Sequence, residues 1–272
     1  MKLLFSEAEP DHAHYVYPYV VWGFLEAGET PADAFSSGFL PSSPHLDRFY
    51  LARHLRLPLG EWKASSENRR VLRKAARLKM DLVPKPEFDY SPMRRASWLR
   101  FADARFGAGV MSGERLDRLM AGRVITHLLH FSDPANGEDV GTVLMYVEAP
   151  RLAYYYYAFY TLDPDLKSAG LGMMVSAAEH FLGSGCLHLY LGTCYAEKAL
   201  YKTQFEPLEF FNGFRWSRNM AELKHLIRVP PAGHHRLEIP EFLAFQSAPP
   251  FQLAQSSNYR AVISPPLPPL PP

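Results

Sequence analysis

Lys167-Ser168-Ala169-Gly170-Leu171-Gly172 is where residue types and spacing in this chain come closest to chemistry. It follows Asp163-Pro164 at the end of an aromatic run and opens an apolar helical pattern. Glycines let backbone N–H groups approach a ligand, and the start of a helix favours an anion. The same two glycines equally suit plain strand-to-helix packing. Asp163, Tyr160 and Tyr201 are polar side chains able to accept or return a proton near such a site. Asp163 also reads as a turn residue before Pro164, and Tyr201 as a core aromatic with its hydroxyl at the surface. Arg69 and Arg70 are paired guanidiniums that suit phosphate or carboxylate. Arg69, Arg73 and Arg77 recur at i, i+4 and i+8, which predicts one helical stripe with Val71, Leu72 and Leu78 turned inward. Such a stripe holds phosphates rather than reading bases.

Several chemistries lack their residues. Cys186 and Cys194 are the whole cysteine complement, too few for a disulfide framework or a four-cysteine cage, and they point to a cytoplasmic chain. Eleven histidines include His127-x-x-His130 but no His-Glu-x-x-His, so no metal is expected. There is no Gly-x-Ser-x-Gly elbow and no P-loop. No run approaches the roughly 20 apolar residues of a membrane helix, so no membrane partner is expected. The opening Met1-Lys2-Leu3-Leu4-Phe5 turns acidic at Glu7, too early for a signal peptide. The net charge of +1 is uneven: from Arg48 to Arg105, 15 Lys and Arg stand against 6 Asp and Glu. That region suits a polyanion, or is simply a solvated basic helix face.

These residues need elements to position them, and 272 residues with 47% hydrophobic content suffice for one large domain or two smaller ones. Asp33-Ala34-Phe35 before Gly38 reads as a short helix stopped by glycine, and Phe49 to Leu59 as one or two strands. Ser65 to Asn68 offers caps for the basic helix or extended arm that follows. Asp81 to Pro92, with three prolines, reads as a linker. A second unit from about Ser97 reads as two helices, strands over Val124 to Phe131 and Val140 to Val147 joined by a turn containing Asn136-Gly137, and an aromatic strand over Leu152 to Thr161. A helix over Leu171 to Leu182, a strand over Cys186 to Thr193 and a helix over Glu197 to Phe205 complete it. Tyr154 to Tyr157 should split its rings between the two faces of its strand, one core and the other free to line a cleft. The order argues for an α/β or α+β fold. Segments 1–85, 92–229 and an irregular 230–272 follow, the last ending in a polyproline tail over 265–272.

Leu187-His188-Leu189-Tyr190-Leu191-Gly192, then Lys198-Ala199-Leu200-Tyr201-Lys202 and Phe205-Glu206-Pro207, resembles the C-terminal half of arginyl- and leucyl-tRNA–protein transferases. Ser65 to Arg73 is similar to the family's Ser-x-x-Gln-Arg-Arg-Val-Leu-Arg stretch, and Gly38-Phe39 to its Gly-Phe-Arg-Arg. Tyr157 to Asp163-Pro164 resembles its aromatic strand and Asp-Pro, and Trp216 its closing Trp. The resemblance runs in order from Gly38 to Trp216. It departs in the cysteines: the interval Arg48 to Leu59 has none, and Ala196 stands where a cysteine often precedes the Lys-Met-x-Tyr-Lys element. The resemblance implies a GNAT-like mixed sheet flanked by helices, preceded by a smaller N-terminal α/β element. The cleft is then expected where Leu152–Thr161 and Leu187–Gly192 diverge. It further implies transfer of an amino acid from charged tRNA to an amine, a protein or peptide N-terminus, with no cofactor beyond the donor. Asp163, Tyr160 and Tyr201 would serve catalysis. Arg69, Arg70, Arg73, Arg77, Lys167, Gly170, Gly172, Lys198 and Lys202 would hold substrate and tRNA. The loop Lys167-x-x-Gly170-x-Gly172 also resembles the pyrophosphate loop of GNAT acyltransferases, which keeps open an acetyl-CoA-dependent N-acetyltransferase. A non-catalytic binding module on the same fold is the third reading.

Overall fold

The computed structural model describes residues 1–7, 19–162, 169–228, 240–246, 248–249, 252, 255–257 and 259. Strands β1 (Lys2–Glu7) and β2 (Tyr19–Phe24) pair antiparallel at the start of the chain. Helix α1 (Pro31–Ser36) begins with a Thr30–Asp33 capping box and Pro31 in its first turn, and Gly38 at φ +90° follows its end. A side chain at Gly38 would meet the Phe211 ring, so the turn needs glycine for space as well as for φ. Strands β3 (Phe39–Pro41) and β4 (Phe49–Leu51) complete a four-stranded antiparallel sheet ordered β1-β2-β4-β3.

The chain then crosses into an eight-stranded mixed sheet. Strand β5 (His54–Pro58) enters it, and helix α2 (Ser66–Ala75) follows, its start fixed by reciprocal Ser65 and Asn68 bonds. Strand β6 (Lys79–Pro84) comes next, then α3 (Pro92–Phe106), α4 (Gly113–Ala121), β7 (His127–Ser132), β8 (Asp139–Glu148) and β9 (Leu152–Tyr160). Helix α5 (Ala169–Gly183) leads to β10 (His188–Thr193), a 3-10 segment over Glu197–Gln204, β11 (Glu209–Phe211), β12 (Trp216–Ser217), α6 (Met220–Arg228) and α7 (Pro240–Gln246). The strand order is β12-β11-β5-β10-β9-β8-β7-β6, so residues 54–58 supply an inner strand between β10 and β11. Among the described residues only β9 and β10 run parallel, and α5 makes the crossover that a parallel pair requires. The fold is a mixed α/β sheet flanked by helices with a small N-terminal antiparallel sheet, as the resemblance implies.

Alternation along the central strands sets the two layers. Leu129, Val143 and Met145 face Met173, Met174, Ala177 and Phe181 of α5. Leu128 and Leu144 face the other way, against Trp98, Phe101, Leu116 and Leu119 of α3 and α4. Each such apolar side chain, fully buried, stabilises by about 1.5–3 kcal/mol.

Five sequence expectations need correction. Residues 81–92 are not a linker, because Lys79–Pro84 pairs with β7 as the outer strand of the large sheet. Proline is tolerated at the end of an edge strand, where no ladder donor is needed. Helix α2 stops at Ala75, so Arg77 lies beyond the helix rather than on its stripe. The second unit's first helix starts at Pro92, capped by Ser91, and not near Ser97. The helix expected over Glu197 to Phe205 is 3-10. Segment 230–272 contains a described helix, α7, while the polyproline run lies outside the described residues. No helix among the described residues is long and apolar enough to cross a membrane.

Helix α7 is latched through polar groups. Fully buried Glu222 accepts hydrogen bonds from Asn212 Nδ2 (2.8 Å), Ser217 Oγ (2.7 Å) and Gln246 Nε2 (2.7 Å). Gln246 Oε1 accepts from Arg215 Nη2 at 2.6 Å. Gln246→Leu removes two of these bonds and should lower unfolding free energy by about 1–2 kcal/mol in urea titrations. An unchanged midpoint would mean that α7 adds nothing to the cooperative unit.

Candidate functional site

The parallel pairing of β9 with β10 is short, from Leu152–Tyr154 against His188–Tyr190. Beyond it β9 continues along β8, while β10 bends through an irregularity between Tyr190 and Gly192. Gly192 has φ +77°, which a side chain would strain. A cavity of about 1160 Å³ opens where these strands part. A bulge in β9 shapes its floor. Leu144 pairs with Tyr157 and Met145 with Tyr155, so Tyr156 has no residue opposite. The extra residue breaks the strict alternation expected of Tyr154 to Tyr157. Tyr154, Tyr156 and Tyr157 therefore gather, with centroids 5.0 and 4.5 Å apart, while Tyr155 turns to the α5 side.

Five cations line the cavity: Arg105, Arg115, Arg118, Lys198 and Lys202. No Asp or Glu among the described residues lines it. Arg115 donates through Nη2 to the Tyr157 hydroxyl (3.1 Å) and through Nη1 to the Val110 carbonyl (3.0 Å), which fixes its guanidinium at the rim. Arg118 pairs with Glu114 one turn back at 2.9 Å. Lys202 donates from Nζ to the Thr193 carbonyl at 3.2 Å, and desolvation lowers its pKa. Desolvation also pushes the phenol of Tyr50, another lining residue, up to about 12, and raises that of Tyr201. At neutral pH both phenols are proton donors, not bases. The Tyr155 hydroxyl is buried with no hydrogen-bond partner among the described residues. No group of three or more His, Cys, Asp or Glu among the described residues could hold a metal.

Tyr160, Tyr201, Gly170, Lys198 and Lys202 meet at this cavity. Gly170 packs beneath Tyr160, whose hydroxyl lies 2.8 Å from where a Cβ would stand. Gly172, half a turn on, faces Val71 and Ala75 of α2 and is not in the lining. Arg69, Arg70 and Arg73 lie exposed on α2 outside the cavity, Arg70 paired with Glu67. Arg77 is exposed beyond the helix. Asp163 and Lys167 lie outside the described residues. Trp216 packs away from the cavity, donating to the Ser36 carbonyl at 2.8 Å beneath the Arg56 guanidinium.

Arg105, Arg115 and Arg118 escape the sequence reading. They sit on the end of α3 and on α4, and only the packing of these helices on the Tyr157–Phe159 face brings them to the cavity. Their one signal in the sequence is the i, i+3 spacing of Arg115 and Arg118 on a capped amphipathic helix. The arrangement can hold a flexible polyanion along its rim and stack flat rings on its floor.

No family model matches the chain. Over 188 residues, 66% of this chain and 74% of the relative, it is 24% identical to the aspartate/glutamate leucyltransferase of Chromobacterium violaceum, to which it is distantly homologous. Among solved structures it is similar to L-PGS from Bacillus licheniformis, with 10% identity and a TM-score of 0.40 over 53% of this chain and 46% of that one. It is also similar to FemX, with 8% identity and a TM-score of 0.39 over 52% and 53%. The chain spans about half the length of these two structures.

Proposed function

We propose that this chain, a distant homologue of the aspartate/glutamate leucyltransferases, moves an amino acid from charged tRNA to the amino terminus of a protein or peptide. The observation that carries the reading is the cavity itself, lined among the described residues by five cations and no carboxylate over a floor of tyrosines. A single-stranded 3′ end needs both features, cations along its phosphates and flat rings beneath its bases. Arg73 and Arg77, on and beyond α2, would extend the contact to the acceptor stem. Charged tRNA is a cytoplasmic substrate, in keeping with the cytoplasmic chain that the cysteine content suggests.

The reaction needs little driving force, because the donor ester is already activated. The acceptor ammonium first loses one proton to solvent, from an ordinary pKa of about 7.7–8.0. The neutral amine then attacks the ester carbonyl carbon. The C–N bond forms, the bond to the tRNA 3′-oxygen breaks, and the second amine proton goes to that oxygen. Tyr201, kept protonated by desolvation, is suited to relay that proton to the departing oxygen, with Tyr160 beside it. Gly170, Lys198 and Lys202 border the same space. The donor amino acid is read as uncharged: among the described residues an arginyl side chain would meet five cations and no carboxylate. Leu171, Met174 and Leu191 offer apolar contact instead.

The test is to incubate the protein with labelled leucyl- and arginyl-tRNA and peptides of varied first residue. Label should pass from leucyl-tRNA to peptide; no transfer from any charged tRNA would overturn the reading. Gly170→Ala offers a finer check. Its Cβ would displace the Tyr160 ring and slow transfer. A variant as active as the parent would remove Tyr160 from the reaction.

A further inference from the structure

A second cavity, of about 400 Å³, adjoins the first. Phe101 and Tyr160 line both, and with ring centroids 4.5 Å apart they form the partition between them. The two cavities differ in charge. The smaller one carries Asp89 and Asp139 together with Arg94 and Arg100. Arg94 bridges the two carboxylates, with Nε 2.8 Å from Asp139 Oδ2 and Nη1 3.2 Å from Asp89 Oδ2. His130 Nε2 lies 3.3 Å from the other Asp139 oxygen. Asp89 nonetheless keeps 74% of its side chain exposed. Arg100 is exposed, with no hydrogen bond or ion pair among the described residues. This site thus offers one solvent-facing carboxylate and, among the described residues, one unengaged guanidinium beside an anchored Arg94–Asp139 pair.

An amine acceptor reaches the protein mostly as an ammonium at neutral pH. Among the described residues every charged group lining the larger cavity is a cation, which disfavours an ammonium there. A side that holds a carboxylate and still adjoins the donor suits it better. Only the partition of Tyr160 and Phe101 separates the smaller cavity from the space assigned to the aminoacyl end.

Resting on the proposed transferase reading, we infer that the smaller cavity is the entry site for the acceptor's amino-terminal residue. Its ammonium lies against Asp89, and an acidic side chain, where the residue has one, lies against Arg100. The occupant is a cationic chain end, and Arg100 is a specificity-determining residue for those whose first side chain is acidic. Amine and ester then meet at the edge of Tyr160, each arriving from the side whose charge suits it.

Ser97, an exposed residue of α3 that lines the smaller cavity, permits the test. Ser97→Trp should fill the site and raise the acceptor peptide KM roughly tenfold or more, leaving the Kd of charged tRNA unchanged. Arg100→Gln should raise KM for peptides beginning with Asp or Glu more than for those beginning with Ala. An acceptor KM unmoved in both variants, with transfer intact, would overturn the site while sparing the transferase reading. A second measurement needs no turnover. A short peptide beginning with Asp, titrated into the parent protein without tRNA, should shift the Arg100 Nε resonance, and Ser97→Trp should abolish the shift. No shift at Arg100, or an undiminished one in Ser97→Trp, overturns the inference. Absence of transfer from every charged tRNA overturns the transferase reading instead, whatever the peptide does at Arg100.

Discussion

Replacing Arg115, Arg118 and Lys198 together by Ala should weaken binding of charged tRNA roughly ten- to a hundredfold at low salt. The salt slope should flatten by about 0.7–0.9 for each phosphate that is no longer neutralised. The three side chains belong to separate parts of the rim, Arg115 and Arg118 on α4 and Lys198 in the 3-10 segment after β10. Alanine suits a helix, and the Arg118–Glu114 pair is exposed on both sides, so folding should hardly change. Binding should fall equally for tRNAs of different sequence, because these groups meet phosphate and no base edge. Arg73→Ala with Arg77→Ala should have a smaller effect, as both residues stand outside the cavity. Anisotropy titrations across a salt series would check both variants. An unchanged Kd and slope in the triple variant would leave the cavity cations as solvated surface, and the case for RNA would fail with them.

The difference between the two variants reflects what could be read along the chain. The Arg73 to Arg77 stripe is a local pattern, visible as spacing, and it led to a helix that is there but ends two residues early. Local signals did well elsewhere too: Gly38 after α1, Ser65 with Asn68 at α2, and Gly137 in the turn between β7 and β8 all punctuate where expected. Strand β6 was hidden because its prolines suggest a loop until the neighbour that makes it an edge strand is known. The candidate site was half legible. Tyr160, Gly170, Lys198, Tyr201 and Lys202 fall on motifs that flank the parting strands. Arg105, Arg115 and Arg118 reach the same space only through tertiary packing of α3 and α4, which no spacing encodes. The bulge at Tyr156 is a further case, since a run of four tyrosines cannot say which one is extra.

Acid should destabilise this protein well above the range in which carboxylates titrate. His54 in β5 is fully buried, its Nδ1–H donating to the Ala52 carbonyl at 2.9 Å, and its ring packed edge-on to Trp216. Burial first, and the Arg56 charge with it, bring its pKa down to about 3, against the pull of nearby backbone carbonyls. His188 in β10 is held to about 4 by desolvation and Arg56, with Glu209 and Glu61 opposing. Both are depressed from about 6.5 in the unfolded chain, so the unfolded state binds more protons between about pH 6.5 and 4. Stability is therefore unaffected by these groups above pH 6.5 and falls as the pH drops through that window. His54 alone contributes about 1.36 kcal/mol per pH unit, and half-buried His188 adds less because solvent screens it. Between pH 6.5 and 4.5 the unfolding free energy should drop by roughly 3 kcal/mol, a large share of the 5–15 kcal/mol typical of a folded domain. His54→Asn can keep a donor toward the Ala52 carbonyl and has no proton to gain. It should be less stable than the parent at pH 7 yet lose clearly less on acidification. Urea titrations at pH 7, 5.5 and 4.5 measure both slopes. Equal slopes in parent and variant would mean that His54 is protonated as readily in the folded state as in the unfolded one, which the packing around it forbids.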